Sequence, residues 1–188
     1  QVLGRRTEIM SAALRLFETK GYLETSMEEI AETADVARGT LYNHFESKAD
    51  VLLALTDTVA QEWHAKAKTN LAAGVSPRIV ICDVLHSAAL WMDEHPKSAR
   101  AFFYAMREQM VRRGALPPPK TLLPPELVIA AQEAHELTKD FEADLLVHFI
   151  ESVMRHNLMT KVLGDENKPV AAKILKEVEL VLDRLAPI

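Results

Sequence analysis

Apolar residues along the chain fall at helical spacing from end to end, and proline and glycine stand at the joints between the periodic segments, which predicts an all-α protein of about nine helices. Ile9, Ala12, Ala13, Leu16 and Phe17 form one stripe on a first helix from about Thr7 to Lys20, ended by Gly21. Ser26 caps a short second helix in which Met27, Ile30, Ala31 and Ala34 repeat that spacing while Glu28, Glu29 and Glu32 face water. A turn at Asp35-Val36-Ala37 leads to a third helix from about Arg38 to His44. Ser47-Lys48-Ala49-Asp50 has the form of a capping box and opens a long fourth helix.

The fifth helix begins at Ser76-Pro77, is apolar on most sides and stops at His95-Pro96. A sixth carries Ala99, Phe102, Phe103, Met106 and Met110 on one face and ends near Arg113. The proline-rich run from Leu116 to Pro125 predicts an irregular connection to a seventh helix over about Leu127 to Leu137. The eighth spans about Asp140 to Leu163, before Gly164, and the ninth about Pro169 to Leu185.

Three short helices ahead of a long one make a helix-turn-helix layout, with Ala31 where two helices cross, Val36 plugging the turn, and Leu41 and Phe45 on the inner face of the third. Arg38, Gly39, Thr40, Tyr42, Asn43 and His44 are left facing outward, a set that mixes base-edge donors and acceptors with groups suited to phosphate. Arg38 stands out, because a cation at a helix N terminus opposes the dipole and needs another reason to be there. Bulk charge points the other way. The first fifty residues hold six basic against nine acidic side chains, a balance of −3, and the whole chain is at −5, whereas nucleic-acid-binding domains usually carry a basic footprint.

Ala12 to Phe17 followed by Gly21-Tyr22, then Thr25-Ser26, Ile30-Ala31, the run from Gly39 to Phe45, Ser47-Lys48 and Leu52 resemble, in order and spacing, the DNA-binding region of the tetracycline-repressor (TetR) family. The resemblance covers about Ile9 to Leu55, roughly a quarter of the chain. It implies a helix-turn-helix DNA-binding domain over residues 1–50 and a helical ligand-binding and dimerisation domain over 51–188. It further implies that Thr25, Ser26, Tyr42, His44 and Lys48 hold phosphates and that Arg38, Gly39, Thr40 and Asn43 lie in the major groove. The chain departs from the family pattern at Asp35, where glycine is common, and at Ala37, where serine or threonine usually caps the third helix; losing that cap costs about 1 kcal/mol.

The resemblance also implies a homodimer through the last two helices, whose stripes (Phe141, Leu145, Phe149, Ser152, Val153 and His156 on the eighth) either pair with their copies or face their own core. A dimer is what operator reading requires, with half-sites about 34–36 Å apart. Trp91, Phe102, Phe103, Met106, Met110, Phe149 and Met154 are candidates to line an apolar effector pocket, with His135 and His148 as polar anchors. The function expected is a ligand-responsive repressor that binds palindromic double-stranded operator DNA and is released by a small hydrophobic effector. A helical small-molecule-binding module without DNA recognition and a helical enzyme are the alternatives.

Chemistry-bearing motifs are sparse. Seven histidines are scattered, and no metal-ligand spacing, nucleophile elbow or phosphate-cradling glycine loop occurs, so no cofactor and no enzymatic activity are expected. The single Cys82, in an apolar stretch, points to packing in a reducing compartment; with no apolar run of membrane-spanning length, a cytoplasmic protein is expected, with no membrane partner. A start at Gln1 without a charged-then-apolar leader reads as a trimmed N terminus.

Overall fold

A computed structural model describes residues 2–113, 121–165 and 167–187, and these fold into helices joined by turns, with no strand among them. The elements are α1 (Val2–Thr19), α2 (Met27–Thr33), α3 (Arg38–His44), α4 (Lys48–Ala72), α5 (Pro77–Glu94), α6 (Pro96–Arg113), α7 (Pro125–Glu133), α8 (Ala143–Leu163) and α9 (Ala171–Arg184). The start of α3, both ends of α5 and the Gly164 stop of α8 lie where the sequence puts them. Residues 116–120, half of the proline-rich connection, lie outside the described residues.

The α1 helix begins at Val2, earlier than the expected start near Thr7, and two further elements differ from expectation, each for a visible reason. The α7 helix ends at Glu133 because His135 takes a left-handed backbone, φ 58°, and the amides of Glu136 and Leu137 turn back onto the Ala131 carbonyl. The α8 helix begins at Ala143 because Gln132 donates to the carbonyls of Thr138 and Phe141 and the Thr138 amide donates to Leu185, which holds 138–141 in irregular backbone.

The chain divides into two compact units. The first comprises residues up to Val59 together with His95–Pro119, and the second Ala60–Glu94 with the residues from Lys120 onward. The packing thus departs from a single boundary at residue 50, because α6 joins the N-terminal helices. Ala101 and Ala105 are buried in the same core as Ile9, Phe17, Ile30, Leu41 and Leu52, and their small side chains let α6 lie close to α1. Polar links fix it there. Tyr22 donates its hydroxyl to Glu108 at 2.9 Å, and the buried Gln109 donates to Asp50 at 2.7 Å. Arg112 reaches Ser47 and Glu46, Lys97 donates to the Thr19 carbonyl, and the Ser98 amide donates to Glu18.

In the second unit α5 lies against α7, α8 and α9, and its Val80, Ile81, Val84, Leu85 and Ala88 are buried. Ile174, Val178 and Leu182 turn the α9 stripe inward, so this stripe belongs to its own unit's core. The α8 helix differs: Leu146, Val147, Ile150 and Met154 face inward, while Leu145 (56% exposed), Phe149 (54%), Met159 (40%) and Leu163 (74%) face out. Asp93 ties three helices together. Its carboxylate accepts from the buried Lys161 ammonium at 3.0 Å and from the amides of Val170 and Ala171, both 2.9 Å, that open α9. Burial alone would raise this carboxyl, but those hydrogen bonds outweigh it and hold it below its usual range.

Candidate nucleic-acid interface

The three N-terminal helices are fixed by local chemistry that the sequence prescribes. Ser26 and Glu29 form a reciprocal capping box on α2: the Glu29 amide donates to Ser26 Oγ at 3.2 Å, and the Ser26 amide donates to Glu29 Oε2 at 2.9 Å. The Lys20 ammonium pairs with the same carboxylate, and these contacts, led by Lys20, hold Glu29 down to about 2. Asp35 carries the turn with φ 52°, a left-handed conformation that a short polar side chain tolerates, so the turn survives without glycine. Ala37 then opens α3 with no side-chain cap. Leu41 and Phe45 are buried, which leaves the rest of α3 on the outside.

On that outer face Arg38, Gly39, Tyr42 and Asn43 are exposed and Thr40 and His44 half-buried, the arrangement expected of a helix presented to a partner. The Arg38 guanidinium pairs with the Glu28 carboxylate on α2 and stands 5.8 Å from the centroid of the Tyr42 ring. His44 lies against Phe45, their ring centroids 6.4 Å apart. Gly39 is informative for what surrounds it, because a Cβ built there meets nothing within 4 Å. Glycine inside an exposed helix costs about 1 kcal/mol relative to alanine, and nothing in the protein's own packing requires it. Gly39→Ala is therefore expected to raise unfolding stability by about 1 kcal/mol in the absence of DNA. If a DNA surface needs that space, the same change lowers operator affinity by about tenfold, as the loss of one base contact would. Thermal melts and anisotropy titrations of one sample read both.

Three residues expected on phosphates are committed elsewhere. Thr25 is buried, and its hydroxyl donates to the Gly21 carbonyl at 2.7 Å, closing the α1–α2 turn. Ser26 spends its hydroxyl on the capping box, donating to Glu29 and accepting from its amide. Lys48 donates to the carbonyls of Tyr22 (2.7 Å), Leu23 (3.2 Å) and Thr25 (3.0 Å), with its ammonium 4.6 Å from the Tyr22 ring centroid. Partial burial pushes the Lys48 ammonium below its ordinary value, opposed by Glu108 and Glu24. An ammonium has three protons, and each has an acceptor here. Lys48→Met keeps the aliphatic cover over Tyr22 but strands carbonyls that burial partly screens from water, so it is expected to lower stability by about 1–3 kcal/mol. A melt unchanged by Lys48→Met, with weakened DNA binding, would restore a direct phosphate role.

The residues expected to line an effector pocket are shared between the two units. Phe102, Phe103, Met106 and Met110 lie in the first unit, and Trp91, His135, His148, Phe149 and Met154 in the second. Met110, His135, His148 and Phe149 are exposed, which corrects their assignment to an enclosed lining. His135 sits in the turn that ends α7. His148 stands on the outer side of α8, its Nδ1 2.6 Å from the Asp144 carbonyl oxygen. Met154 is buried, and Trp91, Phe102, Phe103 and Met106 are half-buried. Among the described residues no group of three His, Cys, Asp or Glu is placed to hold a metal ion, and no helix is long and apolar enough to cross a membrane.

Sequence reasoning did not find the residues that tie α6 to the N-terminal helices. The Tyr22–Glu108 bond spans 86 positions, which no local pattern reveals. Gln109 did leave a signal, a polar residue seven positions after Phe102 on an otherwise apolar face, which calls for a buried partner.

This is a helix-turn-helix head with a polar outward third helix, attached to a larger helical body. Residues 9–55 match the model of the bacterial regulatory proteins of the tetR family. It is 30% identical over 102 residues to the transcriptional repressor KstR2 of Rhodococcus jostii, a match covering 48% of this chain and 50% of that one. It is 27% identical over 169 residues to the regulator TcmR of Streptomyces glaucescens, covering 80% and 70% of the two chains. The chain thus spans about half the length of KstR2 and more of TcmR. The fold is similar to that of Thermus thermophilus FadR, a TetR-family repressor solved with lauroyl-CoA, at a TM-score of 0.76 and 23% identity over 97% of this chain and 96% of that one.

Proposed function

We propose that this protein is a ligand-responsive transcriptional repressor that binds palindromic operator DNA as a homodimer and is released by a small, largely hydrophobic effector. The observation that carries the reading is the outer face of α3, where Arg38, Gly39, Tyr42 and Asn43 are exposed on a helix whose inner face is locked by Leu41 and Phe45. Arg38, Gly39, Thr40 and Asn43 enter the major groove, while Tyr42 and His44 flank the phosphates. One helix of seven residues reads too few bases alone, so a second copy is needed.

The dimer forms chiefly through α8, whose outward Leu145, Phe149, Met159 and Leu163 recur at helical spacing around Ser152 and His156. An apolar stripe of that extent on one helix face suits a self-complementary twofold contact. On α9 Leu180 is the large apolar side chain left outward. The effector is largely hydrophobic; the FadR of similar fold was solved with lauroyl-CoA. It acts by binding better to the state in which the two heads stand at the wrong spacing. No catalytic role is assigned, and the half-buried Cys82, its thiol pushed up by burial, suits a packing role in the cytoplasm.

The test is a titration of fluorescent duplex DNA carrying the palindrome beside the protein's own gene, repeated across salt concentrations. A saturable complex of two chains per duplex, weakening steeply as salt rises, is the expected result. The absence of a saturable complex at low salt would contradict it and favour a binding module without DNA recognition, the reading that the acidic head otherwise supports.

A further inference from the structure

Arg38 begins α3, where the helix dipole disfavours a cation, and the structure shows what offsets this: Glu28, in the first turn of α2, forms an ion pair with its guanidinium across the turn. Both side chains are open to water, Arg38 at 67% and Glu28 at 48% exposure, and pairs of that kind contribute little to folding. The neighbouring acid is otherwise engaged, since Glu29 serves the α2 cap and Lys20. The Tyr42 ring bounds the guanidinium from α3 itself. A long flexible side chain is thus held between a carboxylate on one helix and an aromatic ring on another. Glu28 touches one nitrogen, Nη2, of a group that carries five N–H donors in a fixed fork.

We infer that Glu28 is a positioning residue for DNA specificity: it aims Arg38 at a base edge and, as an anion beside the groove, weakens binding to DNA that offers no matching base. The inference rests on the reading of α3 as the helix that enters the groove. Its physical content is twofold. An arginine already confined by Glu28 and Tyr42 loses little further freedom when it meets a guanine, so the correct site gains relative to others. The Glu28 charge repels phosphates of every sequence alike, so it lowers nonspecific affinity without sequence preference.

The two effects have a signature that a structural role or a general charge effect does not share. In Glu28→Gln the ratio of operator to nonspecific affinity is expected to fall about tenfold for each half-site, the scale of one base contact, while nonspecific affinity rises about two- to threefold for each head, as the loss of one repelling charge allows. The loss falls at the same base pair whose identity Arg38→Ala ceases to distinguish, and adding Glu28→Gln to Arg38→Ala lowers the ratio no further. Melting curves of the DNA-free proteins accompany the titrations, and both positions are exposed, so each variant is expected to fold. A Glu28→Gln protein that binds operator and nonspecific DNA more tightly by the same factor overturns the inference, because Glu28 then acts as a general charge. A gain larger on operator overturns it too, since Glu28 would then compete with the base. If Arg38→Ala keeps the full ratio, base reading by α3 fails along with it; if Arg38→Ala loses the ratio while Glu28→Gln keeps it, only the role of Glu28 fails.

Discussion

Phe149→Glu is expected to turn the dimer into a folded monomer and to lower operator affinity at least a hundredfold. Phe149 lies in the row Leu145, Phe149, Ser152, Met159 and Leu163 on the outer side of α8, opposite the inward Leu146, Val147, Ile150 and Met154. In a twofold contact the row meets its own copy, so a carboxylate at position 149 faces apolar surface and a second carboxylate close by. An unpaired charge in such a dry interface costs on the order of 3–5 kcal/mol, a loss of roughly two to four orders of magnitude in dimer affinity. The chain itself tolerates the change, because the ring is more exposed than buried within its own fold. Operator affinity falls when dimerisation is lost, since a lone head contacts one half-site. Sedimentation equilibrium and DNA titration on the same preparation read the two losses; a dimer of unchanged affinity, or a monomer that binds operator as tightly as before, would contradict the assignment of this face.

The largest effect on stability is expected at Asp93. Its carboxylate serves the Lys161 ammonium and the first amides of α9 at once, so Asp93→Ala leaves a buried cation with the Lys168 carbonyl at 2.8 Å as its remaining acceptor and α9 without its anionic cap. Removing one partner of a buried pair costs about 3–5 kcal/mol, and denaturant unfolding measures it. The pair also gives a pH dependence of definite sign. Because the folded carboxyl is held below its unfolded value, its contribution is complete above the ordinary carboxylate range and is lost as pH falls through the folded value. Glu151 works in the opposite sense. Burial raises its carboxyl, although the Leu123 amide donates to it at 2.8 Å, so this group favours the folded state as protons are added. The informative quantity is therefore the difference between wild type and Asp93→Ala, which is expected to shrink on acidification below about pH 4, where carboxylates protonate. A difference that stays constant or grows would show that Asp93 does not act through its charge.

What could be read from the sequence was what local chemistry settles. The α3 boundaries, the Ser26 cap, the left-handed Asp35 and the missing cap at Ala37 all follow from residues within a few positions of one another, and the fold keeps them. The inward sides of α1, α2, α3 and α9 were legible for the same reason, because burial follows the 3.6-residue period, whereas on α6 the buried Ala101, Ala105 and Gln109 are not the residues of the expected stripe. Long-range partnerships were not. Lys48 reads as a phosphate ligand until the turn carbonyls 23 to 26 positions earlier in the chain are seen around it, and nothing near Pro96–Arg113 announces that α6 packs with the N-terminal helices. The outward stripe of α8 and the inward stripe of α9 look alike as sequences. Only their neighbours separate a stripe left outward from one that fills its own core. For the apolar residues assigned to a pocket the sequence stops short for a related reason: a periodic Met or Phe marks a helix face without saying what stands opposite it.

In the proposed complex the outer face of α3 lies in the major groove of both half-sites. Methylation interference at guanine N7 examines that groove directly, because the added methyl blocks donors from the base edge. Two symmetry-related sets of interfering guanines one helical turn apart are predicted, about 34–36 Å along the duplex, with interference at one guanine in each set abolished in Arg38→Ala. A specific complex indifferent to N7 methylation at every guanine, or one whose pattern Arg38→Ala leaves intact, would contradict the account.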